Sequence, residues 1–568
     1  MTYNIQPMLN VYPDSIGGRL KGTIDLLNQS SVKGAFQAIY LLPSLYHTDL
    51  DRGFSVIDYD LNKVLVGPDD LDQLAKAGIK TKLDFILNHA SVLSPQFQSI
   101  LEQGSQSPYY DFFIDWNHFW QGHGVMTPQG YIEPAPELIK DMFFRKPGLP
   151  ILQVTAQTGE KLTFWNTFYQ DIQYPSMTVQ DWMKALDCQY PEAEIIQAKV
   201  ADHLSTGQDL QRLDLAELAH WLNPVLDTLS KKAQYLGQMD LNLQSDLVWD
   251  FYGQTLDKLS SYGASIVRLD AFAYGPKAVG RRNFLNDPET WDLLAKIQTM
   301  AEERGLTLLP EIHEAYELKI HEKIAQKGYL TYDFFLPGLV LATLEHHDAS
   351  QLFKWIGELK TQGMQTVNML GCHDGIPLLD LKGLLSETQI KSLIDLVVSR
   401  GGYVKNLHGQ ENVYYQVNAT YYSALGEDPY KLLAARALQI FTPGKPQVWY
   451  LDLFAGTNDY QAVEKAGAGG HKEINRTNLD WQFVEDKLSD PLVQDQLTLL
   501  KFRADFAAFD PAAVVTTHQV DQTIGIQWDH QGYQARMTLD LSAPSSLKVT
   551  GLDPNGHLAF TYSPGILN

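Results

Sequence analysis

The segment Gly263-Ala264-Ser265-Ile266-Val267-Arg268-Leu269-Asp270-Ala271 closes an apolar run with an arginine and an aspartate two residues apart. In a strand, residues i and i+2 share one face, so Arg268 and Asp270 point the same way at the C-terminal end of the run. A guanidinium beside a carboxyl favours the ionised form, which suits a carboxylate nucleophile. A buried Arg–Asp pair that merely holds a barrel end together fits this segment equally well. Two further apolar runs also end in acids: 306–313 delivers Glu311 and 365–375 delivers Asp374. In a (β/α)8 barrel the C-terminal strand ends converge on one mouth, where the active sites of that fold sit. One acid there is commonplace; three make a catalytic constellation.

The elements that must carry these acids follow from the order of the chain. Residues 5–12, 37–43 and 80–88 read as the first three strands, with a helix-like stretch at 22–29 between the first two. Strand, helix, strand at this spacing means a parallel sheet with crossover helices. The rhythm stops at 91–245, too long for a plain loop and therefore an inserted subdomain over the barrel mouth. Its later part, 170–235, has apolar residues at helical spacing and reads as an accessory helical pair. The barrel resumes with the Asp270, Glu311 and 329–334 strands, then 365–371 and 446–450. A second insertion spans 376–430, and period-two alternation after 509 marks an antiparallel β domain. The expected fold is thus an α/β (TIM) barrel over 1–90 and 246–508, interrupted after strands three and seven, with a C-terminal domain at 509–568.

Composition narrows the partners. Hydrophobic residues make up 44% and charged residues 20%, as in a well-cored globular chain; aromatics at 11% suit stacking on sugar rings as much as a large core. A formal net charge of -23 argues against nucleic acid or an anionic membrane surface. No apolar run approaches the roughly 20 residues of a membrane span. The start of the chain lacks the basic and apolar regions of a signal peptide, so the cytoplasm is the expected address. Only Cys188 and Cys372 are present, which provides no disulfide framework.

At this point several stretches resemble a known family. Arg268-Leu269-Asp270-Ala271, Pro310-Glu311-Ile312-His313 and Cys372-His373-Asp374-Gly375-Ile376 are similar to the three signatures of the α-amylase clan (glycoside hydrolase family 13). Phe144-Arg145-Lys146-Pro147-Gly148-Leu149-Pro150, the stretch 416–426 and Glu473-Ile474-Asn475-Arg476 narrow the resemblance to sucrose phosphorylases. It covers most of the chain outside about 170–235. It implies Asp270 as nucleophile, Glu311 as general acid/base and Asp374 as transition-state stabiliser. A retaining mechanism needs two carboxyls about 5–5.5 Å apart, one attacking the anomeric carbon and one protonating the leaving oxygen. Glu311 is then expected to hold its proton near neutral pH, through repulsion from ionised Asp270 and Asp374, with Arg268 keeping Asp270 ionised. The resemblance further implies His89 and His373 on the glucosyl hydroxyls, Asp51 with Arg476 at the far sugar edge, and Phe54, Phe168 and Gln238 lining the same subsite. Arg145, His313, Tyr274, Tyr415 and Gln416 fall where fructose is exchanged for phosphate. Arg145 is the strongest of these, since a guanidinium matches phosphate geometry.

The reaction so implied needs no cofactor, only sugar and inorganic phosphate; a homodimer is left open by the sequence. Departures from the family pattern concern the acceptor: the length of 170–235, Val413 in place of an aspartate, and the loop His408-Gly409-Gln410-Glu411. They leave open fructose, fructose 6-phosphate, glycerol or glycerate, and with them phosphorylases of sucrose 6'-phosphate, glucosylglycerol or glucosylglycerate, or a sucrose hydrolase or transglucosidase. The glycine-rich 466–470 lacks the Gly-Lys-Ser/Thr ending of a phosphate loop, and no Cys/His spacing supports zinc.

Overall fold

The computed structural model describes residues 4–146, 148–206, 210–406, 414–467 and 470–565. Eight short strands form one parallel sheet: β1 (Met8–Val11), β2 (Ala38–Leu41), β3 (Lys80–Ile86), β4 (Ala264–Asp270), β5 (Thr307–Pro310), β6 (Thr331–Asp333), β7 (Thr366–Met369) and β8 (Lys445–Trp449). Their spatial order is β5-β4-β3-β2-β1-β8-β7-β6, and every pairing is parallel. This is barrel order, with the ladder interrupted only between β5 and β6. All eight strands expected from the sequence are present; seven are somewhat shorter than their runs, and the eighth keeps its length but starts one residue earlier.

The crossover helices cover the outside. Asp246–Ser261 precedes β4, and its Val248, Tyr252, Leu256 and Leu259 are buried. Those positions recur at helical spacing, so burial of one stripe holds the helix against the sheet. Glu289–Glu302 and Ile320–Gln326 flank β5 in the same way. No helix among the described residues is long and apolar enough to cross a membrane.

Segment 91–245 is tied to the barrel at both ends. Gln170–Gln173 pairs antiparallel with Gln234–Asp240, which pairs in turn with His89–Ser91, so that Asp240 faces His89 and Gln238 faces Ser91. Residues 234 and 235, at the end of the stretch expected to be helical, are instead strand: the helix Leu222–Lys232 stops, and pairing to both neighbours decides the backbone. The helical part also differs from a pair. It contains the α-helices Val179–Leu186, Tyr190–Ser205 and Leu222–Lys232 around a separate apolar cluster that includes Trp182, Ile196, Val200, Val225 and Leu229.

Between β7 and β8 lie a 3-10 turn (Leu379–Leu381), the helix Glu387–Ser399 and a hairpin of Tyr403–Asn406 with Tyr414–Asn418. The loop positions His408, Gln410, Glu411 and Val413 lie outside the described residues. Strands β9 (Val514–Val520), β10 (Thr523–His530), β11 (Tyr533–Asp540), β12 (Ala543–Leu552) and β13 (Leu558–Tyr562) form a C-terminal antiparallel meander. Alternate residues of β10 and β11, such as Ile524, Ile526, Trp528, Met537 and Leu539, face the core, which is the period-two pattern seen in the sequence.

Candidate active site

The barrel geometry brings two of the three expected acids, Asp270 and Glu311, together through one arginine. In the ladder Arg268 of β4 stands opposite Asp84 of β3 and Asp270 opposite Ile86, so Arg268 and Asp84 are cross-strand neighbours. The Arg268 guanidinium then spans three carboxyls. Its Nη1 lies 2.5 Å from Oδ1 of Asp84 and 3.0 Å from Oδ1 of Asp270, and its Nη2 lies 2.5 Å from Oε1 of Glu311. Arg268 is 2% exposed, which makes these contacts a dry ion cluster instead of a solvated rim. The strand stops after Asp270 because Ala271 takes the left-handed conformation (φ 52°, ψ 14°), a placement that costs a non-glycine residue about 1–3 kcal/mol and tends to mark functional turns.

Protonation in this pocket departs from the expectation. Burial and the adjacent Glu311 charge push Asp270 well above the usual carboxylate range, against the pull of Arg268. Burial acts on Glu311 in the same direction, but Arg268 and His313 overcome it and hold Glu311 low. Of the two acids it is Asp270 whose neutral form is favoured, the reverse of the assignment expected from repulsion alone. The reason is geometric: Arg268 approaches Glu311 more closely than Asp270, and His313 adds a second cation on that side.

Asp374 enters from the segment after β7. Its Oδ1 lies 2.6 Å from Nζ of Lys472 and 3.8 Å from Nη2 of Arg476, and its Oδ2 lies 3.2 Å from Nε2 of His373. Burial works to raise Asp374, but its cationic and hydrogen-bonding neighbours hold it well below the usual range. His373 is pushed down to about 3 by burial, so at neutral pH it meets Asp374 as a neutral ring and the charge comes from Lys472 and Arg476. The chain can turn after Asp374 because Gly375 adopts φ +106°, and a Cβ there would come within 2.5 Å of the Val417 carbonyl oxygen.

The other expected residues gather around these acids. His373 stacks on Phe54 (centroids 5.0 Å, 10° apart). The Phe54 carbonyl accepts from Nε2 of His89 at 2.9 Å and from the Gln238 amide at 3.1 Å. Gln238 also accepts from the Tyr169 backbone at 3.1 Å; it spends its amide on loop contacts. Phe168 packs at 5.0 Å from His89 and 5.1 Å from Tyr274, held there by hydrogen bonds from Thr167 to buried Asp240. Asp51 lies 3.7 Å from Nη1 of Arg476. Arg145 donates to the Tyr274 hydroxyl at 2.9 Å, with its guanidinium over Phe168 at 5.0 Å. Gln416 is buried on the hairpin strand whose Val417 bridges to Ile376. Tyr415 lies on the same strand, with its side chain outside the described set.

Four charged residues escaped the sequence reading. Asp84 was legible as a charge on the inward face of an apolar strand, two residues after Lys82. Lys472, 2.6 Å from Asp374, carried only the weak signal of a basic residue four positions before Arg476. Lys277, paired with Asp240 at 2.7 Å, and Asp380, 3.0 Å from His313, had no local signal. Both pairings join segments far apart in the chain.

A carboxyl pair bridged by one guanidinium, with a third ionised carboxylate and two cations opposite, can attack an acetal carbon, protonate its leaving oxygen and stabilise positive charge between them. No family model matches the chain. A sucrose 6(F)-phosphate phosphorylase of Ilumatobacter coccineus is 46% identical over 544 residues, 94% of each chain. A sucrose phosphorylase of Streptococcus mutans is 30% identical, covering 89% of this chain and 88% of that one. Among solved structures, a sucrose 6F-phosphate phosphorylase from Thermoanaerobacter thermosaccharolyticum superposes with a TM-score of 0.80 at 30% identity, covering 99% of this chain and 98% of that one. An α-amylase from H. orenii, at 14% identity and a TM-score of 0.57, shares the fold. With relatives of this identity and coverage, and with the acids of the resemblance meeting at one barrel mouth, the chain belongs to the sucrose phosphorylase family of the α-amylase clan, enzymes that transfer glycosyl groups to phosphate.

Proposed function

We propose that this enzyme transfers a glucosyl unit from sucrose phosphorylated on its fructosyl 6-position to inorganic phosphate, releasing α-glucose 1-phosphate and fructose 6-phosphate. The observation that carries the reaction is the single guanidinium bridging Asp270 and Glu311, which holds an attacking and a protonating carboxyl side by side as a retaining mechanism requires. The 46% identical relative supports the phosphorylated donor. The sucrose phosphorylase of Streptococcus mutans favours unmodified sucrose as the second reading.

In this mechanism Asp270 attacks the anomeric carbon and forms a β-glucosyl ester, while Glu311 gives its proton to the departing glycosidic oxygen. An oxygen of phosphate then attacks the same anomeric carbon from the face opposite Asp270, its proton passing to Glu311; the bond from that carbon to the Asp270 oxygen breaks, which frees the carboxylate and restores the α-configuration. Asp374 stays ionised throughout and stabilises the oxocarbenium-like charge. The surroundings favour a neutral Asp270 and an ionised Glu311, so the attack requires the proton to reside on Glu311 when the donor is bound. A donor whose glycosidic oxygen bonds to Glu311 promotes that placement, because the bond favours the protonated acid.

The test is a panel of sucrose, sucrose 6F-phosphate, glucosylglycerol and glucosylglycerate, each incubated with and without phosphate and assayed for α-glucose 1-phosphate. Phosphate-dependent release, fastest from sucrose 6F-phosphate, is expected. Glucose release at a rate independent of phosphate would refute the assignment, and preference for another donor would replace the substrate.

A further inference from the structure

An acid-lined pocket in a chain of net charge -23 repels the anion that the proposed reaction consumes, so phosphate depends on cations built in locally. His313 is held in an uncommon way. Its Nδ1 lies 3.0 Å from Oδ2 of Asp380, its Nε2 lies 3.6 Å from Oε1 of Glu311, and its ring stacks on Phe334 with centroids 3.8 Å apart. Asp380 comes from the 3-10 turn Leu379–Leu381 after β7, whereas His313 follows β5, so the pair links the segments after two barrel strands that have only β6 between them. The Asp380 side chain is 8% exposed, and a carboxylate taken out of water needs a counter-charge. Burial alone would depress His313, but Asp380 and Glu311 more than reverse this and push it up to about 10. Glu314, next along the same segment, is another charge that His313 acts on, and Arg282 acts on Glu314 in turn; Arg268 reaches the opposite side of the group through Glu311.

We propose that Asp380 is a positioning residue for the phosphate step. It anchors the His313 ring through Nδ1–H and turns the Nε2–H toward Glu311, so that a fixed imidazolium stands where the incoming anion must approach. The inference rests on the phosphorylase reading above. After the first half-reaction Glu311 has lost its proton, and a phosphate drawing near would meet a bare carboxylate. A cationic His313 beside Glu311 offsets that repulsion and can donate to a phosphate oxygen. A neutral imidazole with one free tautomer would do neither reliably. Asp380 touches neither sugar nor phosphate in this scheme; it acts through the ring.

Asp380→Asn keeps the shape and a hydrogen-bond acceptor but removes the charge. The kcat/KM for phosphate should fall about 10- to 100-fold, as when the supporting partner of a functional histidine is lost, while slow hydrolysis without phosphate changes far less. Released from Asp380, His313 falls back toward its ordinary value near ~6.5. Phosphate use by the variant, divided by that of the wild type, should therefore decline as pH rises from about 6 to 8. The double variant with His313→Gln should be no worse than His313→Gln alone, because both changes remove one device.

Equal losses of phosphorolysis and hydrolysis in Asp380→Asn, or losses that multiply in the double variant, would overturn the inference. Should the variant fail to fold, 15N imidazole spectra of the wild type, assigned with His313→Gln, decide it: both ring nitrogens protonated at pH 7.5 support the role, and a neutral ring refutes it. A wild-type enzyme indifferent to phosphate would instead refute the phosphorylase reading, so the two failures are distinguishable.

Discussion

Replacing Arg268 by methionine isolates the energetics of the site. The side chain is 2% exposed and contacts Asp84 at 2.5 Å, Asp270 at 3.0 Å and Glu311 at 2.5 Å. Removing one member of a buried ionic cluster typically costs about 3–5 kcal/mol, because the remaining charges are stranded. At roughly 2.1 cal/mol/K per residue, a chain of 568 residues shifts its thermal midpoint by only about 1 °C per kcal/mol, so a loss of about 3–4 °C is expected at pH 7. The sign with pH follows from the partners. In the wild type Glu311 is held low, so it contributes stability above the ordinary glutamate value of about 4.3, lost as pH falls through its lowered folded value. Without Arg268 burial raises all three acids, and each opposes folding only where it must ionise. The difference between wild type and variant should thus be largest at neutral pH and shrink as the pH approaches about 4. Differential scanning calorimetry of both proteins from pH 4.5 to 8 measures this directly. A deficit that is equal across that range, or an unperturbed midpoint at pH 7, would refute the account of the cluster as a charge-balanced unit.

Three further outcomes follow from the same geometry. Asp270→Ala should fold and bind donor but lose turnover by several orders of magnitude; near-wild-type kcat in that variant would remove Asp270 as nucleophile. Arg145→Ala, which frees the Tyr274 hydroxyl and the Phe168 face, should raise the KM for phosphate far more than it slows hydrolysis, read from paired assays with and without phosphate. Gly375→Ala must accommodate a methyl 2.5 Å from the Val417 carbonyl at a φ of +106°. It should displace Asp374 and cut kcat by at least about tenfold with a modest change in donor KM, measured by steady-state kinetics.

How far the sequence carried these conclusions varies with the distance between interacting parts. Arg268 and Asp270 were legible as one-faced partners because strand periodicity is local, and Glu311 and Asp374 because each ends an apolar run before a turn. The eight barrel strands were legible for the same reason. The strand Gln234–Asp240 was not: its first residues fall at the end of a stretch with helical spacing, and only pairing with Gln170–Gln173 and His89–Ser91 makes them extended. Gln238 illustrates the same limit, since its amide goes to Phe54 and Tyr169 on two other loops.

Residue order alone therefore determined the barrel, the three acids at its mouth and the kinship that goes with them, because strand alternation and short signatures are encoded within a few neighbouring positions. Tertiary structure alone decided that Arg268 and His313 favour ionised Glu311 while burial favours neutral Asp270, that Lys472 sits on Asp374, and that Asp380 backs His313. Protonation depends on distances and burial summed over segments that meet only after folding, and an order of residues contains no such distances.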